Sequence, residues 1–245
     1  MRAFIVPAAV MLGAVLVTAP ANAQLSENWQ RCSNKDKNFS ADLAIGGCTS
    51  IIQSGNESNA NLAIAFYNRG NWHRANGEQD RGIADYDQAI RLNPRYAFAY
   101  GNRGNAWRAK GDYDRAIADY NKAIEIGSAE VKFDYNNRGL AYADKKEYNK
   151  AIESYNQALR QDPRYANAYS NRGLAYTNLK DYDRAIRDYD DAIRINPQYS
   201  RAFSNRAFTY EKMGRKRDAI EDYRKALELD PSDSYNRDAL SRLGG

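Results

Sequence analysis

Few residues in this 245-residue chain could carry out covalent chemistry. It has one histidine, His73, two cysteines, Cys32 and Cys48, and 31 acidic side chains. No GxSxG, HExxH or GxxxxGK[ST] string occurs, and no Cys/His cluster has metal-ligand spacing. The carboxylates recur at regular intervals and none stands out as an isolated acid/base pair. The sequence therefore predicts no catalytic residue, no metal and no cofactor. The recurring candidates are five asparagines: Asn68, Asn102, Asn137, Asn171 and Asn205. A carboxamide donates and accepts hydrogen bonds and carries no charge, so it can pair with any peptide unit whatever the adjoining side chain.

The elements that position these amides are repeats. Phe66-Tyr67-Asn68-Arg69-Gly70, Tyr100-Gly101-Asn102-Arg103-Gly104, Tyr135-Asn136-Asn137-Arg138-Gly139, Tyr169-Ser170-Asn171-Arg172-Gly173 and Phe203-Ser204-Asn205-Arg206-Ala207 align, the last residue stepping 70, 104, 139, 173, 207. One extra residue follows the second unit, where Ser128 stands in place of the proline found at Pro94, Pro163, Pro197 and Pro231. Tyr169, Gly173 and Tyr176 are spaced i, i+4, i+7 and share a helical face, while each asparagine lies about 200° from its aromatic. A period near 34 residues implies stacked helix pairs, each too small to bury its own apolar stripe.

On these residues the chain resembles the tetratricopeptide repeat (TPR) family. In the second unit the motif positions are Tyr100, Gly104, Trp107, Ala116, Tyr120 and Ser128, and in the fourth Tyr169, Gly173, Tyr176, Ala185, Tyr189 and Pro197. The resemblance implies an all-α, right-handed α-solenoid of about five TPR helix-turn-helix units, with an N-terminal half-repeat and a C-terminal cap helix. The segments expected are 63–96, 97–131, 132–165, 166–199 and 200–233 for the repeats, 24–62 for the half-repeat with its preceding extended segment, and 234–245 for the cap. It further implies that the five asparagines line an inner groove and grip an extended peptide. They could equally cap local hydrogen bonds or record repeat duplication. Along that groove Ile64, Phe98 and Phe133 give way to Asn167 and Arg201, while Asn71 and Asn105 give way to Leu140, Leu174 and Phe208. Two apolar patches on opposite rims are one reading, and helix-end packing between units is the other.

Arginine occupies the family's usual leucine position in all five units, with Asp85, Asp119, Asp188 and Asp222 as candidate partners. His73 and Gly82 depart from the motif in the first unit, which predicts loose packing there.

The N-terminus reads as an export signal. Met1 and Arg2 precede an apolar run from Ala3 to Val17, and Ala21-Asn22-Ala23 offers a cleavage site before Gln24. The run falls short of the roughly 20 residues that span a bilayer, so residues 1–23 are expected to be removed rather than kept as an anchor. A periplasmic or secreted location follows as an expectation, with no membrane attachment after cleavage. In such a compartment Cys32 and Cys48 would form a disulfide, two buried thiols being the alternative.

Charge excludes little. Basic and acidic residues number 36 and 31, giving +5, and their signs interleave along helices, so nucleic acid is not expected as a partner. The function expected is a non-catalytic scaffold holding a protein or peptide. The alternatives are an architectural or self-associating envelope protein and an accessory subunit of an envelope enzyme. Oligomeric state is left open.

Overall fold

The computed structural model describes residues 21–35, 38–128 and 130–244. The apolar run of the expected leader lies outside them. Thirteen helices and no strands occur among the described residues: α1 (Ala21–Ser33), α2 (Ala41–Gln53), α3 (Asn59–Ala75), α4 (Gln79–Leu92), α5 (Ala97–Ala109), α6 (Tyr113–Ile126), α7 (Val131–Asp144), α8 (Tyr148–Gln161), α9 (Ala166–Asn178), α10 (Tyr182–Ile195), α11 (Ser200–Lys212), α12 (Lys216–Leu229) and α13 (Ser234–Leu243). None is long and apolar enough to cross a membrane. Each helix packs on the next in sequence, which makes the molecule an α-solenoid.

The helices are cut to length by local chemistry. Ser58, Asp112, Asp181 and Asp233 each accept a hydrogen bond from a backbone N–H in the first turn of the helix that follows, satisfying a donor that has no partner within the helix. The turn inside a unit needs a left-handed residue. Gly77, Gly111 and Gly214 supply it in three units, and Lys146 and Lys180 take the same conformation in the other two.

Packing within a unit rests on one contact. A tyrosine of the second helix lies 16 residues after the small residue of the first: Tyr86, Tyr120, Tyr155, Tyr189 and Tyr223 are all at most 1% exposed. A Cβ placed on Gly173 would come within 2.8 Å of the Tyr189 ring, so the glycine is what lets the helices close on it. The first unit is not loose. Its glycines bring the α3 and α4 backbones together, a Cβ on Gly82 lying 3.1 Å from the Gly70 carbonyl oxygen, and His73 Nδ1 sits 2.6 Å from Glu78.

The N-terminal segment is a complete helix pair. The stretch before α2 is helical rather than extended, and Leu25, Trp29 and Cys32 have the i, i+4, i+7 spacing of a packed face. Cys32 and Cys48 are again 16 residues apart, both fully buried, with Cα atoms 4.6 Å apart in disulfide geometry. They occupy the places of the small residue, glycine in four regular units and Ala207 in the fifth, and of the tyrosine. Trp29 and Trp72 close this core, the Trp72 indole N–H donating to the Cys32 carbonyl at 3.0 Å.

Units are clipped to one another by the recurring arginine. Arg69, Arg103, Arg172 and Arg206 each pair with an aspartate of their own second helix, as the spacing predicted; in Arg172, Nε donates to Asp188 Oδ2 at 2.8 Å and Nη2 to Oδ1 at 2.6 Å. The remaining nitrogen reaches back to the preceding unit. Arg69 finds Thr49 at 3.1 Å, Arg103 finds Asp87 at 2.5 Å, Arg172 finds Asn156 at 2.5 Å, and Arg206 finds Asp190. Each guanidinium also lies over the aromatic ring three residues earlier, 5.2 to 5.6 Å from its centroid. The third unit differs: Ser154 replaces the aspartate, leaving Arg138 with two neutral partners, Ser154 at 3.1 Å and Asn121 at 2.8 Å.

Breaking a largely buried charge pair costs more than making it gains, because the survivor is left uncompensated. Asp188→Ala should therefore lower unfolding free energy by about 3 kcal/mol. Ser154→Asp, which gives Arg138 the carboxylate its counterparts have, should raise it by about 1 kcal/mol. Urea melts of both variants against the parent chain check the two signs.

Candidate peptide groove

The first helices of the units, α3, α5, α7, α9 and α11, come into contact with one another along the array in addition to contacting their own second helices. The stack consequently curves toward them, and they form its inner wall. All five asparagines sit on this wall, each half-buried.

Their amides are not free. Asn102 Nδ2 donates to Tyr67 Oη at 3.0 Å and Asn71 Oδ1 at 2.8 Å; Asn137 donates to Asn105 at 3.2 Å, Asn171 to Asn136 at 2.9 Å, and Asn205 to Ser170 at 3.2 Å. Every acceptor belongs to the preceding unit. Asn68 makes no such bond with the described residues. The asparagines thus fix the register between units, a role that sequence reasoning missed because the partners lie 31 to 35 residues away. The carbonyl side stays open in part. Asn102 Oδ1 accepts from Asn105 at 3.2 Å, whereas Asn171 and Asn205 have no donor on Oδ1 among the described residues.

The apolar residues of the wall divide as expected at one rim. Ile64, Phe98 and Phe133 are 41%, 45% and 37% exposed, a row of large side chains facing solvent. On the other rim Leu174 is exposed, while Leu140 and Phe208 are half-buried against neighbouring helices. Two recesses open between units. One of about 310 Å³ is walled by Tyr67, Phe98, Asn102, Phe133, Asp134 and Asn137; another of about 330 Å³ by Leu140, Asn171, Leu174, Arg201 and Asn205. A further recess, about 780 Å³, lies against α12 and Gly244, and none of the five amides reaches it.

No group of His, Cys, Asp or Glu among the described residues is arranged to hold a metal. The one strongly perturbed carboxylate on the wall is Asp134. Burial pushes its pKa up from 3.8 to about 6, helped by the nearby Glu130 charge and opposed by Ser128, whose Oγ lies 3.5 Å away. Tyr67, on the same recess, is raised by burial too, with hydrogen bonds to Asn71 and Asn102 pulling it back.

A solenoid of helix pairs with a polar-lined inner wall defines a repeat scaffold. Tetratricopeptide repeat models match residues 63–96, 97–127, 166–199 and 200–233, and a further TPR repeat model matches 139–180. The chain belongs to the tetratricopeptide repeat family. Among solved structures, MamA is 26% identical, covers 66% of this chain and 94% of its own, and superposes with a TM-score of 0.58. YrrB, described as a TPR protein with an unusual peptide-binding site, is 23% identical over 79% of this chain and 97% of its own, TM-score 0.58. The Cut9–Hcn1 hetero-tetramer of the APC/C aligns over 91% of this chain and 42% of that one at 20% identity, TM-score 0.70. The last two share the fold. No curated protein matches the chain.

Asp134 sets a pH dependence whose sign follows from its shift. The folded state holds the proton more tightly than the unfolded chain, so the stability this group contributes is complete below about 3.8 and is lost as pH rises through about 6. Asp134→Asn should accordingly stabilise the protein by about 1 to 2 kcal/mol at pH 8, after allowance for partial solvent exposure, and by little at pH 3.5. Thermal melts at the two pH values provide the check.

Proposed function

We propose that this chain is a non-catalytic scaffold that holds an extended polypeptide along its inner wall, in the periplasm or outside the cell. The observation that carries the reading is the row of exposed Ile64, Phe98 and Phe133 beside half-buried amides, with Leu174 exposed on the opposite rim. Apolar side chains in a continuous concave row mark a binding surface rather than ordinary exposure. Beside them Asn137, Asn171 and Asn205 each keep one N–H beyond the inter-unit bond, and the carbonyls of Asn171 and Asn205 accept no bond from the described residues, which suits pairing with a peptide backbone. YrrB, which shares the fold and is described as having a peptide-binding site, supports a peptide as the class of partner. The export reading rests on the leader-like residues 1–23 and gains support from the disulfide geometry of Cys32 and Cys48.

At about 0.5 to 1.5 kcal/mol net per hydrogen bond, a handful of amide contacts only partly offsets the several kcal/mol lost on association. Affinity should be about micromolar or weaker, with specificity set by the recesses. Replacing Asn102, Asn137 and Asn171 together by Ala removes inter-unit bonds as well as peptide contacts, so the melting temperature should fall by several degrees. At 10 °C, where circular dichroism shows both proteins folded, the triple variant should retain less than a tenth of the partner captured from envelope extract. Equal capture by the folded variant would exclude the amides from binding.

A further inference from the structure

The third unit breaks the repeat where it faces the groove. Three residues before the groove asparagine the other four units carry Ala65, Ala99, Ala168 and Ala202, all with no exposed surface. The third unit has Asp134 there. The place is made for it by two further departures. Gly101, on the preceding first helix, has no side chain, and a Cβ there would lie 2.7 Å from Asp134 Oδ1. The turn tyrosine that precedes the first helix in the second, fourth and fifth units, Tyr96, Tyr165 and Tyr199, is also missing, with Val131 in its place. Tyr96 packs on Tyr67 with ring centroids 5.0 Å apart and Tyr165 packs on Phe133 at 5.5 Å, but Gly127, Ser128 and Glu130 stand at the corresponding turn before α7. The vacated volume is the recess of about 310 Å³.

No basic side chain lines that recess. Lys132, two residues before Asp134, is engaged with Asp162 at 2.7 Å, and Asp134 forms no ion pair among the described residues. Its carboxylate has one side-chain hydrogen-bond partner among the described residues, Ser128 Oγ at 3.5 Å, and Glu130 adds a second negative charge at the rim. The walls beside it are the rings of Phe98, Phe133 and Tyr67. A carboxylate at the floor, a second at the rim, amide oxygens between and aromatic rings around form the complement of an ammonium or guanidinium on an apolar stem. Charge in place of a buried alanine is a cost to the empty protein, since burial opposes ionisation, and an arriving cation would offset it.

We propose that this recess is a specificity pocket for a lysine or arginine side chain of the polypeptide held in the groove, with Asp134 as the counter-ion. The proposal rests on the groove reading above. It is tested on an array of acetylated, amidated decapeptides in which one position is fixed and the others are equimolar mixtures, probed with the purified protein at pH 8. The parent chain should bind Lys-fixed and Arg-fixed spots at least fivefold more strongly than Gln-fixed spots at one or two adjacent positions. In Asp134→Asn, which is expected to melt no lower than the parent at this pH, the same spots should fall to the level of the Gln spots. Asn171→Ala, remote from the recess, should weaken all spots together and keep the ratio. Binding by the parent without a basic preference, or a preference that survives Asp134→Asn, would overturn the pocket and leave the groove standing. Absence of binding by the parent to every spot would overturn both.

Discussion

The structure depends on a constraint that no single helix pair can meet. Two helices of 13 or 14 residues bury one tyrosine between them and leave the other faces open, so order must come from neighbours. The recurring arginine answers this. One guanidinium ties its own second helix through an aspartate and the preceding unit's second helix through its remaining nitrogen, so three helices meet at one planar group. A planar group with fixed donor directions sets angles as well as distances, which a leucine at the same place could not. The third unit, where Ser154 and Asn121 are the partners, is the one place where that clip lacks a charge partner.

The N-terminal pair obeys the same plan with different chemistry. Where four of the regular units press a glycine, and the fifth Ala207, against a tyrosine, this pair sets Cys32 against Cys48 at the same 16-residue interval. At the other end α13 covers the last unit, Tyr235 meeting Tyr223 edge-on at 6.2 Å while Ser204 donates to the buried Asn236 at 2.6 Å. The last unit is thereby covered, which an open-ended stack of identical units would lack.

Much of this was legible in the sequence because it is periodic. The five units, the Tyr and Gly faces, the arginine–aspartate pairs and the cap helix all follow from residues that recur at a fixed interval. What escaped was aperiodic or long-range. Helix α1 carries its signal in a single triplet, Leu25, Trp29 and Cys32, with no second copy to confirm it. The partners fall in two columns, Asn71 and Asn105 three residues after the preceding unit's asparagine and Asn136 and Ser170 one residue before it, so the superhelical offset decides which is used and the asparagine column alone does not show it. Asp134 was readable by comparing columns, since alanine fills its place four times, but an aspartate on a charged helix attracts no notice until the buried state of its counterparts is known.

Under the proposed function Asn102, Asn137, Asn171 and Asn205 have two connected roles. Holding the units in register shapes the inner wall, and the groups left over after that bonding are what a peptide could meet. The direct test of the wall as the binding surface is photo-crosslinking in cells, with benzoylphenylalanine placed at Phe98 and Leu174 on the first helices or at Ala118 and Glu153, exposed on the second helices. Adducts of discrete mass at Phe98 and Leu174, and none at Ala118 and Glu153, are the predicted result. Adducts confined to Ala118 and Glu153 would contradict it.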